Sequence, residues 1–320
     1  MKRSWIQLSV LLPLLGAGCQ DYEVNRSRVF DTFRQAERDA ELDVLWVLDN
    51  SSSTLEEQEQ LAETTGAFIE FMSFAGTAYQ IGVVTTDMAT SDAGRLRGGL
   101  ILDESTPDIE DEFSALVLVD DDGSTTERGM DAMVAALEPG GPNPDFAREG
   151  ADLEVIIFTD EDDSSRLEPD EALDDLEDFR GDNAVGVTAI IGDLPEGCAT
   201  LLAAADPGYR YAELVELSRG RIESICTSDY ESMMQRVALE ALGLINTFQL
   251  SRVPDLTSLE VRVDGALLYQ RETNGWTYDP GSNAVIFDGY AMPPPGSIVD
   301  VEYYEWYGLG APEETEVESE

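Results

Sequence analysis

Four short apolar runs, each rich in β-branched residues, constrain the fold of this chain more than any other feature of its sequence. The runs occupy residues 44–48, 79–86, 153–159 and 184–191. Continuous apolar runs of this length are typical of strands that are covered on both faces. Because segments with helical spacing separate them, the sequence predicts a doubly wound, mainly parallel sheet of the α/β class.

The helices of this α/β domain are predicted from apolar residues that recur at helical intervals. They comprise a helix from Thr54 onward and helices at residues 109–118, 129–137, 168–179, 209–218 and 230–245. We also expect a short hairpin at 95–102, around two adjacent glycines, and an edge strand at 221–226. Residues 41–246 are expected to form the whole α/β domain.

The first apolar run is followed by five polar residues, DNSSS at 49–53. This run lies between the carboxyl end of a predicted strand and the amino end of a predicted helix, where open α/β sheets bind their ligands. An N-capping loop is the alternative, because Ser, Asp and Asn all cap helices. Capping requires one such residue, however, and five are present, which favours a metal site.

Acids follow all four apolar runs, which would gather them at one edge of the sheet. They are Asp49, Asp87, Asp160 and Asp193. A second hydroxyl-bearing loop, DDDGSTT at 120–126, precedes the helix predicted at Gly129. Carboxylates at one edge repel one another and need a cation, although solvated loop acids are the alternative in so acidic a chain. Oxygen ligands from Asp, Ser and Thr suit Mg²⁺ or Ca²⁺, with Mn²⁺ a further candidate.

The DNSSS run after a buried strand, a Thr shortly before Gly129 and the Asp that ends a later strand resemble one known site. This is the metal-ion-dependent adhesion site (MIDAS) of von Willebrand factor type A (vWA) domains, and the resemblance covers about residues 42–246. It implies five ion-binding residues, Asp49, Ser51, Ser53, Thr126 and Asp160. Thr125 is the alternative register for the threonine. In this family an open position on the ion accepts a carboxylate from a partner protein, so the resemblance implies such a partner here.

The sequence departs from the vWA pattern directly after Asp160, where the family commonly has Gly. This chain instead has EDDSS at 161–165. The additional acids are expected to favour Ca²⁺ or a second ion. Further candidate ligands are therefore Thr125, Asp87, Glu161 and Asp162.

The composition excludes several classes of function. The chain has no His, which excludes His-ligated zinc, a Ser-His-Asp triad and imidazole acid-base chemistry. Asp and Glu outnumber Lys and Arg by 66 to 19, and such a surface repels phosphates, so nucleic acid is not an expected partner.

One enzyme class is the best alternative to a binding protein. The DEDDS run at 160–164 resembles the Asp loop of haloacid-dehalogenase-type phosphatases, in which the first Asp is a nucleophile assisted by Mg²⁺. Such enzymes usually need a later Lys or Arg for the phosphate, and the only Lys is Lys2. The sequence therefore favours a binding protein over an enzyme. A structural scaffold with a stabilising ion is the third possibility.

Residues 1–18 are predicted to be a signal peptide, because a basic start precedes a short apolar core and a run of small residues. Cys19 follows, and the arrangement resembles the lipobox of bacterial lipoproteins, which implies that Cys19 carries the lipid. Ordinary secretion with a free Cys19 is the alternative. Residues 19–40 are expected to form a tether with a short amphipathic piece. The protein is thus expected to be exported and membrane-anchored in the bacterial cell envelope, at the outer membrane or cell surface.

Cysteine usage agrees with export. Apart from Cys19, the chain has Cys198 and Cys226, an even pair in a protein bound for an oxidising compartment. We expect these two residues to form a disulfide, with two buried free thiols as the alternative.

After residue 246 the pattern changes to short strands with alternating apolar and polar residues. The predicted strands occupy 258–263, 266–271, 275–278, 284–287 and 298–304. This pattern indicates a small antiparallel all-β domain at 247–309, followed by an acidic, disordered tail at 310–320. The aromatic residues of this domain form either its core or an exposed contact surface, and periodicity does not separate the two.

Overall fold

The computed structural model describes residues 26–37, 40–119, 123–200 and 204–306. These residues contain fifteen β-strands and six α-helices. The strands in chain order are β1 (Arg28–Arg34), β2 (Leu42–Leu48), β3 (Tyr79–Thr85), β4 (Leu102–Asp103), β5 (Asp152–Phe158), β6 (Val185–Ile191), β7 (Cys198–Ala199), β8 (Ala204–Ala205), β9 (Ile222–Ser224), β10 (Thr247–Gln249), β11 (Glu260–Val263), β12 (Ala266–Leu268), β13 (Trp276–Asp279), β14 (Ala284–Phe287) and β15 (Ile298–Tyr304). The helices are α1 (Leu55–Ala75), α2 (Ile109–Val117), α3 (Gly129–Leu137), α4 (Pro169–Arg180), α5 (Tyr209–Ser218) and α6 (Tyr230–Ala241).

The centre of the molecule is a six-stranded sheet with the order β4-β3-β2-β5-β6-β9. Its strands pair in parallel, except that the two-residue β4 at one edge is antiparallel to β3. All residues of β2 are buried, as its continuous apolar run requires. The predicted mixed α/β architecture with a mainly parallel central sheet is therefore confirmed, and β9 lies at the edge where a strand was expected.

Helices cover both faces of this sheet. Successive side chains of β2 point to opposite faces, so that Trp46 belongs to one apolar cluster and Val47 to another. The cluster around Trp46 takes in residues of α1, α2 and α6, whereas the cluster around Val47 takes in residues of α3, α4 and α5. The centroid of the Trp46 ring lies 5.4 Å from that of Phe68 and 5.5 Å from that of Phe113. These ring contacts hold α1 and α2 against β2.

The strands β3, β2 and β5 end level with one another. Leu48, the last residue of β2, pairs with Thr85 of β3 and with Phe158 of β5. The pairing continues one residue further, because Thr86 N donates to Leu48 O at 3.0 Å and Asp49 N donates to Phe158 O at 2.9 Å. The residues that follow these three strands therefore meet at one edge of the sheet.

Two antiparallel sheets, with the orders β1-β15-β11-β12 and β10-β14-β13, consist of strands from the last part of the chain and of β1. Side chains of both sheets share one buried apolar cluster with α1 and α6. The antiparallel strands predicted after residue 246 are thus present. Their assignment to a separate domain, 247–309, stays a prediction.

Strand β1 forms part of the fold, whereas the sequence predicted a tether with only a short amphipathic piece at 19–40. It pairs along its whole length with β15 in an antiparallel register. Its half-buried residues include Asp31, whose carboxylate accepts a hydrogen bond at 2.7 Å from Tyr303 Oη, 272 positions further along the chain. A half-buried acid interrupts the apolar alternation by which strands are recognised, and so distant a partner leaves no local signal.

The hairpin predicted at 95–102 is also wrong. Arg97–Gly99 forms a 3₁₀ turn, and β4 pairs with β3. Leu96 and Leu102, on either side of this turn, are both buried, so the flanking segments pack into the protein instead of pairing with each other. Helix α6 ends before residue 245, because Gly243 adopts the left-handed conformation with φ of 64°.

Cys198 and Cys226 form the predicted disulfide, which joins β7 to the segment after β9. The predicted signal peptide, Cys19, residues 120–122 and the predicted acidic tail at 310–320 lie outside the described residues. Within the described ranges, no helix combines the length and the apolar character needed to cross a membrane.

Candidate metal centre

Asp49 is completely buried at the end of β2 and is fixed at three points. Its Oδ1 accepts a hydrogen bond from Ser51 N at 2.7 Å, and its Oδ2 accepts one from Thr159 Oγ1 at 2.6 Å. Its backbone oxygen accepts bonds from Thr54 Oγ1 at 3.1 Å and from Gln58 Nε2 at 3.0 Å. The loop after β2 is therefore held to the end of the neighbouring strand β5 and to the first turn of α1.

The two predicted serine ligands lie side by side. Ser51 Oγ and Ser53 Oγ are 2.8 Å apart, and Ser53 Oγ donates to Asp160 Oδ1 at 3.3 Å. Helix α1 has Thr54 at its N-cap position, with no side-chain capping bond. The serine hydroxyls thus contact each other and Asp160 instead of capping the helix. The structure brings together four of the predicted residues, Asp49, Ser51, Ser53 and Asp160.

A further acid, Glu127, lies beside Asp49 and was not among the predicted ligands. Its side chain is almost fully buried, its Oε2 accepts a hydrogen bond from Thr86 Oγ1, and its Oε1 has no partner. Burial raises the pKa of Glu127 to about 8, and the charge of Asp49 adds to the shift. The only local sequence signal for this residue is its place directly after Thr126, in the loop expected to supply a ligand.

The charge of Asp49 also acts on the other acids around it. Burial raises the pKa of Asp160 to about 7, and repulsion from Asp49 adds to this effect. Burial, followed by repulsion from Asp49, raises the pKa of Glu161. Burial raises the pKa of Glu57 as well, with smaller contributions from Glu56 and Asp49. Repulsion among buried carboxylates is expected where the balancing charge is a cation.

The two predicted threonines form no hydrogen bond to this group. Thr125 and Thr126 are exposed, and Thr126 N donates to Ser124 Oγ at 3.1 Å. Neither threonine hydroxyl forms a hydrogen bond within the described part of the chain. Asp87 is buried, and its Oδ1 accepts a hydrogen bond from Ala89 N at 2.7 Å.

The acids that depart from the vWA pattern divide into two groups. Asp162 Oδ1 accepts the backbone N–H of Arg210 at 2.9 Å, in the first turn of α5. Asp163 Oδ1 accepts the backbone N–H of Met130 at 3.3 Å, in the first turn of α3, and Asp163 Oδ2 lies 3.3 Å from Arg210 Nε. These two carboxylates tie the loop to two helices. The charge of Asp49 acts on Glu161 and contributes to its raised pKa.

A cleft of about 770 Å³ borders the loop at 49–53. Its walls include Asn50, Gly123, Arg95 and Arg97. A Cβ atom at Gly123 would lie only 2.3 Å from Asn50 Cγ, so a glycine is needed for the two loops to approach this closely. Neither Arg95 nor Arg97 forms an ion pair with another described residue.

The residues at this edge fit a divalent ion. Every candidate ligand is a carboxylate or hydroxyl oxygen, the ligand type that Mg²⁺ and Ca²⁺ prefer. Glu127 Oε1, Asn50 Oδ1 and Glu57 Oε2 are buried without a partner among the described residues. In that part of the chain, no group of three or more His, Cys, Asp or Glu side chains is placed so that it could hold a metal ion. The serine hydroxyls would therefore be needed as ligands.

Comparisons with known proteins found no matching family model and no matching curated protein. Proximal thread matrix protein 1 from the mussel byssus is 13% identical, over 69% of this chain and 51% of that protein, with a TM-score of 0.45. One structure of the mussel protein has a zinc-occupied MIDAS motif. The pilus adhesin SpaC from Lactobacillus rhamnosus GG is 10% identical, over 87% and 41% of the two chains, with a TM-score of 0.43.

The pilus adhesin RrgA from Streptococcus pneumoniae is 9% identical, over 90% of this chain and 60% of that one, with a TM-score of 0.37. This chain thus spans between two fifths and three fifths of the length of these three proteins. The similarities are too low to assign the chain to a family.

Proposed function

We propose that this protein is a divalent-cation-dependent protein-binding lipoprotein of the bacterial cell envelope, with a MIDAS-type site in a vWA-like domain at 41–246. The observation that carries the proposal is the contact series from Ser51 Oγ to Ser53 Oγ to Asp160 Oδ1 beside the buried Asp49. The simpler explanation is that these serines cap helix α1, but their hydroxyls form no capping bond.

Asp49, Ser51, Ser53 and Asp160 would hold Mg²⁺ or Ca²⁺, with Mn²⁺ as a further candidate. Once bound, such an ion offers a Lewis-acidic position for an oxygen ligand from outside the chain. The protein supplies the orientation, because Ser51 N and Thr159 Oγ1 fix the two oxygens of Asp49 separately. No catalytic role is assigned to these residues.

The partner that suits this site is a protein that offers a carboxylate. The cleft beside Asn50 has room for the side chains that flank such a carboxylate, and Arg95 and Arg97 line it. These two guanidinium groups provide positive charge on a chain with a formal net charge of −47. Lipidation of Cys19 would place the site at the outer membrane or cell surface.

Ion binding and partner binding can be tested separately with the same variants. Titration calorimetry is expected to detect Mg²⁺ or Ca²⁺ binding by the wild-type chain and its loss in Asp49→Ala and in Ser51→Ala combined with Ser53→Ala. Undiminished ion affinity in these variants would contradict the assignment.

A pull-down from envelope extract, with and without EDTA, tests the adhesion function. We expect a partner that wild type captures only without EDTA and that Asp49→Ala does not capture. If EDTA lowers the melting temperature but leaves capture unchanged, the ion is structural and the adhesion proposal fails.

A further inference from the structure

The first and the last described residues lie side by side, at one end of the sheet β1-β15-β11-β12. Glu305 N donates to Ser27 O at 3.0 Å, which continues the antiparallel pairing of β1 with β15. On the other side of the same segment, Trp306 N donates to Val253 O at 2.8 Å, next to a bridge between Pro254 and Glu305. Three segments of the chain therefore meet at this end of the sheet.

One face of this end of the sheet is apolar and exposed. Side chains alternate along a strand, so Trp306 and Tyr304 share a face with Val253, which lies opposite Trp306. The exposed apolar residues here are Phe30, Val253, Leu256, Tyr304 and Trp306, which are 65%, 51%, 57%, 36% and 50% exposed. We call these five residues the Trp306 surface. A cluster of exposed apolar side chains is typical of an interaction surface.

The charges beside the Trp306 surface are balanced, unlike those of the whole chain. Asp255 forms an ion pair with Arg26, and Glu302 forms one with Arg28. A further arginine, Arg252, is exposed next to this surface. The formal net charge of the chain is −47, and such a charge repels the phosphates of a membrane. Pairing of these two acids with arginines reduces that repulsion at the Trp306 surface.

The proposed lipid anchor is close to this surface along the chain. Only residues 20–25 separate Cys19 from Arg26. A chain extends by at most ~3.6 Å per residue, so Cys19 and Arg26 are at most about 25 Å apart. Arg26 is paired with Asp255, the neighbour of Leu256. A lipid on Cys19 therefore keeps this end of the sheet near the bilayer.

We propose that the Trp306 surface lies on the lipid bilayer in which Cys19 is anchored. Trp306 and Tyr304 lie at the level of the head groups, where Trp and Tyr are enriched because each combines an apolar ring with a polar group. Val253 and Leu256 contact the boundary of the acyl chains. A single acyl chain binds a membrane only marginally, and an apolar surface of the protein supplies a second attachment. This inference rests on the proposed lipidation, and it identifies the end of the protein that faces the membrane.

Quenching of tryptophan emission by brominated lipids tests this proposal. Trp46 and Trp276 are buried, so that Trp306 is the only exposed tryptophan among the described residues, and Trp5 belongs to the predicted signal peptide. The full chain, isolated with its lipid, is placed in phosphatidylcholine vesicles with and without bromine on the acyl chains. We expect the brominated vesicles to quench the wild-type emission. Trp306→Phe, which keeps an aromatic ring at an exposed position, is expected to lose this quenching.

The matched control is Tyr290→Trp in the Trp306→Phe background. Tyr290 is also exposed, but its hydroxyl donates to Glu70 of α1 at 2.5 Å, so it contacts a helix of the α/β domain instead of the Trp306 surface. The tryptophan introduced there is expected to show no quenching. Val253→Ser combined with Leu256→Ser retains Trp306 and is expected to reduce its quenching, because both substitutions remove apolar area from the contact.

Three outcomes would count against these proposals. Absence of quenching in the wild-type protein, or equal quenching in the Tyr290→Trp control, would overturn the membrane contact. A dimer in ultracentrifugation that Val253→Ser with Leu256→Ser dissociates would assign the surface to a second copy of the chain and would also overturn it. Mass spectrometry that finds no lipid on Cys19 would refute the anchoring part of the proposed function instead. Quenching of that protein by added vesicles would then support the Trp306 surface by itself.

Discussion

Thr159→Val tests how the candidate ligand Asp49 is held in place. Thr159 is fully buried, its Oγ1 donates to Asp49 Oδ2 at 2.6 Å, and the same oxygen accepts a hydrogen bond from Glu161 N at 3.1 Å. Valine has nearly the same shape and lacks the hydroxyl. The substitution therefore removes two hydrogen bonds with little change in packing.

The magnitude follows from the two lost bonds. A hydrogen bond to a charged group contributes about 1.5 to 3 kcal/mol, and an ordinary one contributes about 1 kcal/mol. We expect the free energy of unfolding without ions to fall by about 2 to 4 kcal/mol. Because Thr159 orients a candidate ligand, its loss is also expected to weaken ion binding by about 10- to 100-fold.

Thr188→Val is the matched control for this prediction. Thr188 Oγ1 donates to Glu154 Oε1 at 2.7 Å, which is also a bond from a buried threonine to a carboxylate in the central sheet. Glu154 lies early in β5, roughly 17 Å along the strand from Thr159, the residue that follows its end. Urea denaturation followed by circular dichroism measures stability, and calorimetric titration measures ion affinity.

Both variants are expected to be less stable than wild type, and only Thr159→Val is expected to bind the ion more weakly. Equal ion affinity in Thr159→Val and wild type would refute the reasoning that this hydroxyl positions Asp49 for an ion. A comparable loss of affinity in Thr188→Val would show that general destabilisation is the cause.

Three further predictions concern the ion-free site, the loop after β5 and strand β1. Asp160 and Glu127 have folded-state pKa values raised to about 7 and about 8. Stability is therefore greatest below the ordinary pKa values of these two acids and falls as pH rises from the ordinary to the raised values. The fall is up to about 1.4 kcal/mol per pH unit for each proton. Denaturation at several pH values should show this fall without ions and a smaller one with saturating Ca²⁺. Asp163→Ala removes the acceptor of Met130 N and Ser165 N, whereas Arg210 keeps its ion pair with Glu168. It is expected to cost about 1.5 to 3 kcal/mol in urea denaturation, and unchanged stability would contradict the role given to Asp163. Deletion of residues 28–34 should lower the melting temperature, because β1 packs Phe33 against Phe248 at 5.4 Å, whereas a tether could be removed without effect.

The sequence was sufficient to predict the elements whose signals are local. The apolar run of β2 is buried on both faces, and a continuous apolar run predicts such burial. The edge at which Asp49 and Asp160 meet follows from parallel pairing, since strands of similar length that run in one direction end at the same edge. Ser51 and Ser53 could be predicted as part of the site because the loop between β2 and α1 is short and keeps them next to Asp49.

The sequence was insufficient where a residue's environment depends on distant partners. Glu127 is buried because Thr86, at the end of another strand, accepts the backbone N–H of Arg128 and donates its hydroxyl to the glutamate. Neither contact has a local signal, and the adjacent Thr126 matched a known pattern better. Strand β1 was missed for the same reason, because its partner β15 lies near the other end of the chain.

The extra acids after Asp160 change the site less than their number suggests. Asp162 and Asp163 bind the first turns of α5 and α3 through backbone N–H groups, and Asp163 also faces Arg210. Negative charge at helix N-termini is stabilised by the helix dipole, so these two acids are satisfied without an ion, and they brace the loop that carries Asp160. The acids on which the charge of Asp49 acts are instead Glu127, Asp160 and Glu161. An ion at this edge would therefore offset the repulsion among these acids, whereas Asp162 and Asp163 are already held by helix N–H groups.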